Sequence, residues 1–157
     1  MADALVQFVI AHFDSVFEGP NGDYPTVLEA LAGVTLAQAM WKPAPEHNSI
    51  WQIVNHVTAS KIWQIDMLEN GEAKLQAWTE PLGEESAWLA SLAQLKQAHA
   101  RLKDSLARLT QADLLRIPVA DWKKRQLELL LSIASHEAHH SGQIDYLKGL
   151  QAGASAR

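Results

Sequence analysis

Apolar residues recur along most of this chain at three- and four-residue intervals, the spacing of one face of an α-helix. The first run carries Leu5, Val6, Phe8, Val9, Phe13, Val16 and Phe17 and predicts a helix over about residues 3–17. It stops at GPNGDYP, where glycine and proline cluster. A short helical piece over about 25–32 follows. The second long helix opens at Asn48-Ser49. Ser49 with Gln52 three residues on fits a capping box, and Pro43 and Pro45 keep the approach extended. It closes at Asn70-Gly71, a helix-stop pair. The connection EAKLQAWTEPLG leads to a third helix over about 84–109, in which Trp88, Leu92, Leu95, His99, Leu102, Leu106 and Leu109 keep the helical spacing. The fourth covers about 124–149 and is expected to fade at Gly149 and Gly153.

No period-two run bounded by hairpin turns occurs, so strands are not expected. Four long helices without strands predict an all-α chain folded as a four-helix bundle, one domain over residues 1–157. The connection between the second and third helices is long enough to cross the bundle, so a crossover is expected there. A weak internal echo exists: LAGVT (31–35) and LARLT (106–110) each follow a helix and precede a proline-containing linker to a histidine-bearing helix.

Composition narrows the chemistry. With no cysteine, disulfides, thiolate ligands and a cysteine nucleophile are excluded, and any metal must be held by His, Asp, Glu or water. A formal charge of -5, with no basic block beyond Lys123-Lys124-Arg125, argues against a nucleic-acid partner. No apolar run is long enough to span a bilayer. The start MADALVQFVIAHFD carries Asp3 and no basic region, unlike a secretory signal. The expectation is a cytoplasmic protein without a membrane partner.

Near the C-terminus stands HEAHH, residues 136–140. Positions i and i+4 share a helix face, so His136 and His140 pair. On a helical wheel both fall within about 40° of Leu129, with Ile133 and Leu147. His139 falls about 80° to the side. Two core-facing imidazoles carry four nitrogens that need partners in a low-dielectric interior. Ordinary hydrogen bonds are one solution. A metal ion, which takes one nitrogen from each ring, is the other. A metal site needs at least one more ligand. His56, in SIWQIVNHVTASKIW, borders the apolar stripe of Ile53 and Val57 and ranks modestly above His99. His12 and His47 are weaker candidates. Trp51 and Trp63 suit either core packing or the wall of an apolar substrate pocket.

HEAHH also spells H-E-x-x-H, the zinc-protease helix signature. The extended form of that signature needs glycine and histidine where this chain has Gln143 and Tyr146, and no glutamate or histidine follows His140. The protease reading is therefore set aside. Glu137 stays a candidate acid–base group, about 60° from His140 on the wheel.

The segments NSIWQIVNH around His56 and HEAHHSGQI around His136 resemble the DinB/YfiT-like superfamily, and the likeness covers nearly the whole chain. The resemblance implies a four-helix bundle with a crossover, often a homodimer. It implies a divalent metal, zinc or nickel, held by His56, His136 and His140, with His139 as a neighbour. It implies a transferase that joins a low-molecular-weight thiol to a small-molecule electrophile. A metal-dependent hydrolase using activated water, with Glu137 as base, is the first alternative. A non-catalytic metal-binding stress-response protein is the second, and a fourth protein ligand such as His99 would favour it.

Overall fold

The computed structural model describes residues 3–19, 22–74, 79–119, 121 and 123–155. Among these are four long helices, α1 (Ala4–Phe17), α4 (Ile50–Asn70), α5 (Glu85–Leu106) and α7 (Gln126–Ser155). Three short ones lie between them: α2 (Val27–Leu31), α3 (Leu36–Met40) and α6 (Gln111–Leu115). The expected all-α helical bundle is what forms, and no strand occurs among the described residues. No helix among them is long and apolar enough to cross a membrane.

Local chemistry sets the helix ends. Ser49 and Gln52 form the expected capping box, each side chain bonding the other's backbone N–H, at 3.2 and 3.0 Å. Gly71 ends α4 with φ 76°, a left-handed conformation that favours glycine. The two echoed segments mark short helices. Thr35 with Gln38 and Thr110 with Asp113 build capping boxes that start α3 and α6. Each of these helices is anchored by one fully buried apolar residue, Ala39 or Leu114. Only α7 overruns its expected end, continuing through Gly149 and Gly153 to Ser155. A helical glycine costs about 1 kcal/mol against alanine. Tertiary contacts offset that here: Leu147 and Gln151 are buried, and Lys148 Nζ donates to the carbonyls of Ala30 and Ala32.

Cross-helix contacts give the directions. Trp51 meets Ser91, Lys61 meets His99, and Glu69 meets Arg101 and Ser105, so α4 and α5 run the same way. The path expected to cross the bundle between them includes residues 75–78, which lie outside the described residues. α7 runs opposite to α4. Ile50, Val54 and Val57 cluster with Ile144 and Leu147 at one end, and Ile65 clusters with Leu130 and Ala134 at the other.

Between these two apolar clusters lies a polar centre to which every long helix contributes. Lys61 of α4 and Glu137 of α7 are fully buried, and the ammonium donates to both carboxylate oxygens at 2.6 and 2.7 Å. Its third donor faces His99 Nδ1 of α5 at 3.1 Å. His99 Nε2 in turn lies 3.0 Å from an Asp14 oxygen on α1. Phe17 stacks on His99 at 3.9 Å between ring centroids and lies under the Lys61 ammonium at 4.7 Å. Three N–H donors thus meet three acceptors, which is what makes a buried ammonium tolerable. Burial pushes the Lys61 ammonium down and the Glu137 carboxyl up, and each is opposed by its partner's charge. The His99 imidazole is held down to about 4, chiefly by burial and then by the Lys61 charge. It is therefore neutral, with its proton on Nε2 facing Asp14 and its Nδ1 lone pair facing Lys61.

This centre fixes the rotation of α7. Sequence periodicity places Leu129, Ile133, His136 and His140 at the middle of the buried face. The fully buried residues are instead Leu130, Ala134, Glu137, Ser141 and Ile144, centred about 100° away on the wheel. Apolar counting cannot place a glutamate at the centre of a core, whereas the ion pair to Lys61 does. The histidines end up on the flank of that face.

Two measurements test the centre. Lys61→Met or Glu137→Gln leaves a buried charge unpaired, and each is expected to cost about 3–5 kcal/mol in denaturant unfolding. Lys61→Met combined with Glu137→Leu removes both charges and should cost less than either single change. Single losses under about 1 kcal/mol would show that the pair does not hold the bundle. Stability should also fall with acid. Folded His99 stays neutral down to about 4, whereas the unfolded imidazole protonates at its ordinary 6.5. The loss therefore develops as pH drops through that window and approaches about 3 kcal/mol. His99→Gln keeps an acceptor for Lys61 and a donor for Asp14 without titrating. Measured with chelator present, it should lose correspondingly less between neutral pH and pH 4 than the parent chain.

Candidate metal centre

His56 lies in the second turn of α4, and His136 and His140 lie one turn apart in the middle of α7. Antiparallel packing brings the three together. His136 Nε2 is 3.0 Å from His56 Nε2 and 2.9 Å from His140 Nε2. The rings stand edge to face, at interplanar angles of 68°, 78° and 89°. All three offer a ligand nitrogen within 4.8 Å of the others. His56 and His136 are half-buried and His140 is buried.

The electrostatics suit a cation. Burial is the largest cause lowering all three imidazoles below their ordinary value, and His140 falls to about 4. For His136 and His140 the nearby imidazoles add to the effect. At neutral pH the rings are therefore neutral, the form that binds metal. One nitrogen, His136 Nε2, faces two others at hydrogen-bonding distance, and a neutral ring nitrogen has one proton or one lone pair with which to answer both. A divalent ion at the common point answers all three. Around tetrahedral zinc, with Zn–N near 2.0–2.1 Å, ligand nitrogens stand about 3.3 Å apart. The two separations that His136 Nε2 makes need to open only by a few tenths of an ångström. The donor set fits a divalent cation of the kind that favours imidazole.

The outer contacts differ between the two α7 histidines. His140 Nδ1 lies 2.7 Å from Gln143 Oε1. His136 Nδ1 is buried with no partner among the described residues.

The other candidates lie elsewhere. His99 belongs to the Lys61 centre and does not reach the triad. His139 is exposed beside His140, with ring centroids 5.4 Å apart. His12 stacks on Phe8, and His47 is exposed next to Glu46. Glu137 points to neither solvent nor the triad: it is fully buried and both its oxygens bind Lys61. A second acid–histidine cluster, Asp14, Glu18 and His99, already receives the Lys103 ammonium, 2.8 Å from Asp14. Trp51 is a core residue, packed on Trp88 and donating from Nε1 to Ser91 Oγ at 2.8 Å. It also borders a cavity of about 450 Å³ between α4 and α5, lined in part by Asn55, Ala59, Ser91 and Leu82. Trp63 is half-buried.

The family profile described as the DinB superfamily matches residues 23–144, which include all three histidines of the triad. No curated protein matches the chain significantly, and no solved structure does.

Proposed function

The chain belongs to the DinB superfamily, and on that footing we propose that it is a metal-dependent enzyme, a transferase that joins a low-molecular-weight thiol to a small electrophile. One observation carries the reading. Three neutral imidazole nitrogens converge, and no fourth His, Cys, Asp or Glu ligand atom joins them among the described residues. Catalytic sites keep such an opening, whereas structural sites close it with a fourth protein ligand. The use of His99 as that closing ligand, which would favour a non-catalytic role, is countered by its place in the Lys61 centre.

In this reading His56, His136 and His140 hold zinc or nickel. A bound divalent ion supplies Lewis acidity that makes a thiol or a water nucleophilic near neutral pH. The ligand set adds no negative charge, so the full double charge of the ion is available. The chain has no cysteine, so the sulfur nucleophile comes from a cosubstrate. Burial of His140 and partial burial of its companions keep protons from competing for the ring nitrogens. Glu137 is read here as the residue that sets the rotation of α7, because its carboxylate is committed to Lys61.

Protein purified without a histidine tag should carry about one divalent ion per chain by elemental analysis. His56→Ala, His136→Ala and His140→Ala should each remove it, and His139→Ala should retain it. Metal kept by the His136→Ala protein would overturn the ligand set. Loaded protein should consume a model electrophile only when a thiol is added. Equal consumption without thiol would replace the transferase with a hydrolase.

A further inference from the structure

The geometry points to Gln143 as a positioning residue that fixes the proton of His140 on Nδ1, and so turns the Nε2 lone pair toward the common point of the triad. This rests on the metal-centre reading above. Gln143 lies three residues after His140, on the adjacent turn of α7, and its side-chain carbonyl oxygen is 2.7 Å from His140 Nδ1. A carbonyl oxygen can only accept. The nitrogen facing it must therefore carry the hydrogen, which leaves Nε2 unprotonated. The alternative tautomer would place its hydrogen on Nε2, 2.9 Å from His136 Nε2 and directed into the triad, where it would block a cation.

The brace sets His140 apart from His136, its neighbour one turn earlier on α7. The equivalent nitrogen of His136 is buried and has no partner among the described residues. No protein acceptor on its outer side therefore fixes where the His136 proton sits. Of the two α7 ligands, His140 is thus the pre-set one. A hydrogen-bond partner on the outer nitrogen also raises the basicity of the inner one, and loss of such partners typically weakens metal binding about 10- to 100-fold. Gln143 is itself exposed. Changing it should leave the core untouched, so an effect on the metal would come through His140.

Zinc affinity is measured by competition with a chromophoric chelator, on the tag-free parent chain, Gln143→Met and Gln143→Glu. Methionine removes the acceptor and should weaken binding about 10- to 100-fold. Glutamate keeps an acceptor at the same reach and should restore affinity to at least near the parent value. In metal-free protein, the ring ¹⁵N shifts of His140 should show Nδ1–H in the parent and a mixture of tautomers in Gln143→Met. The unfolding midpoint in chelator should be the same for all three. Parent and Gln143→Met affinities within about threefold, or an Nε2–H tautomer in the parent, would overturn the role of Gln143 while leaving the metal centre standing. A parent chain that binds no zinc would overturn the centre itself, and the role of Gln143 with it.

Discussion

An ammonium and a carboxylate buried at the middle of the bundle constrain everything around them. Removing two such charges from water costs several kcal/mol per ion, and only close geometry with every donor and acceptor satisfied offsets it. Lys61 and Glu137 meet that demand with a two-oxygen contact, and His99 takes the remaining ammonium hydrogen. Asp14 then anchors His99 from α1. A bundle of apolar stripes tolerates sliding and rotation of its helices, because one leucine can replace another in a groove. A four-membered polar centre does not. A turn of α7 by one residue would strand Glu137 among apolar side chains with nothing to bind.

The histidine triad inherits its geometry from that constraint. With Glu137 fixed toward Lys61, His136 and His140 lie on the flank of α7 that faces His56. They sit where burial is deep enough to keep the rings neutral and shallow enough, at His56 and His136, to leave a route from solvent. The two polar assemblies share two helices but no residue, and they divide the work. One holds the helices in register with charges that never leave the core. The other gathers neutral donors whose mutual contacts are satisfied poorly by protons and well by a cation.

Much of this was legible in the sequence, for identifiable reasons. The long helices follow from the three- and four-residue apolar spacing, and the start and stop of α4 follow from Ser49, Gln52 and Gly71. The resemblance carried by NSIWQIVNH and HEAHHSGQI pointed to His56, His136 and His140, and the fold brings those three together. The apolar spacing does not reveal the short helices α3 and α6, although their Thr-x-x-Gln and Thr-x-x-Asp capping signals begin at the last residue of each echoed segment, Thr35 and Thr110. The rotation of α7 is not legible from apolar periodicity, which centres the buried face about 100° from the fully buried residues. Apolar counting treats lysine and glutamate as surface residues, and it has no means of pairing two charges that lie 76 positions apart. Gly149 and Gly153 predict an early end to α7, whereas its last turns are held by contacts with α2 and α3.

The same distant pairing decides what HEAHH means. In a zinc protease the glutamate of H-E-x-x-H serves the metal held by its two histidines, and the spacing along the helix is identical to the spacing here. The helix therefore does not distinguish the two uses. What distinguishes them is whether the glutamate finds water or a cation. In this chain α4 presents Lys61 to it, with no solvent exposure on either side chain, and the glutamate becomes part of the frame. His140 finds its own neighbour, Gln143, on the outer side of the same helix. Three residues within this five-residue stretch thus serve two separate structures: Glu137 the ion pair, His136 and His140 the triad. The division is imposed by the packing of α7 against α4, because Lys61 draws the glutamate inward and His56 faces the histidine pair.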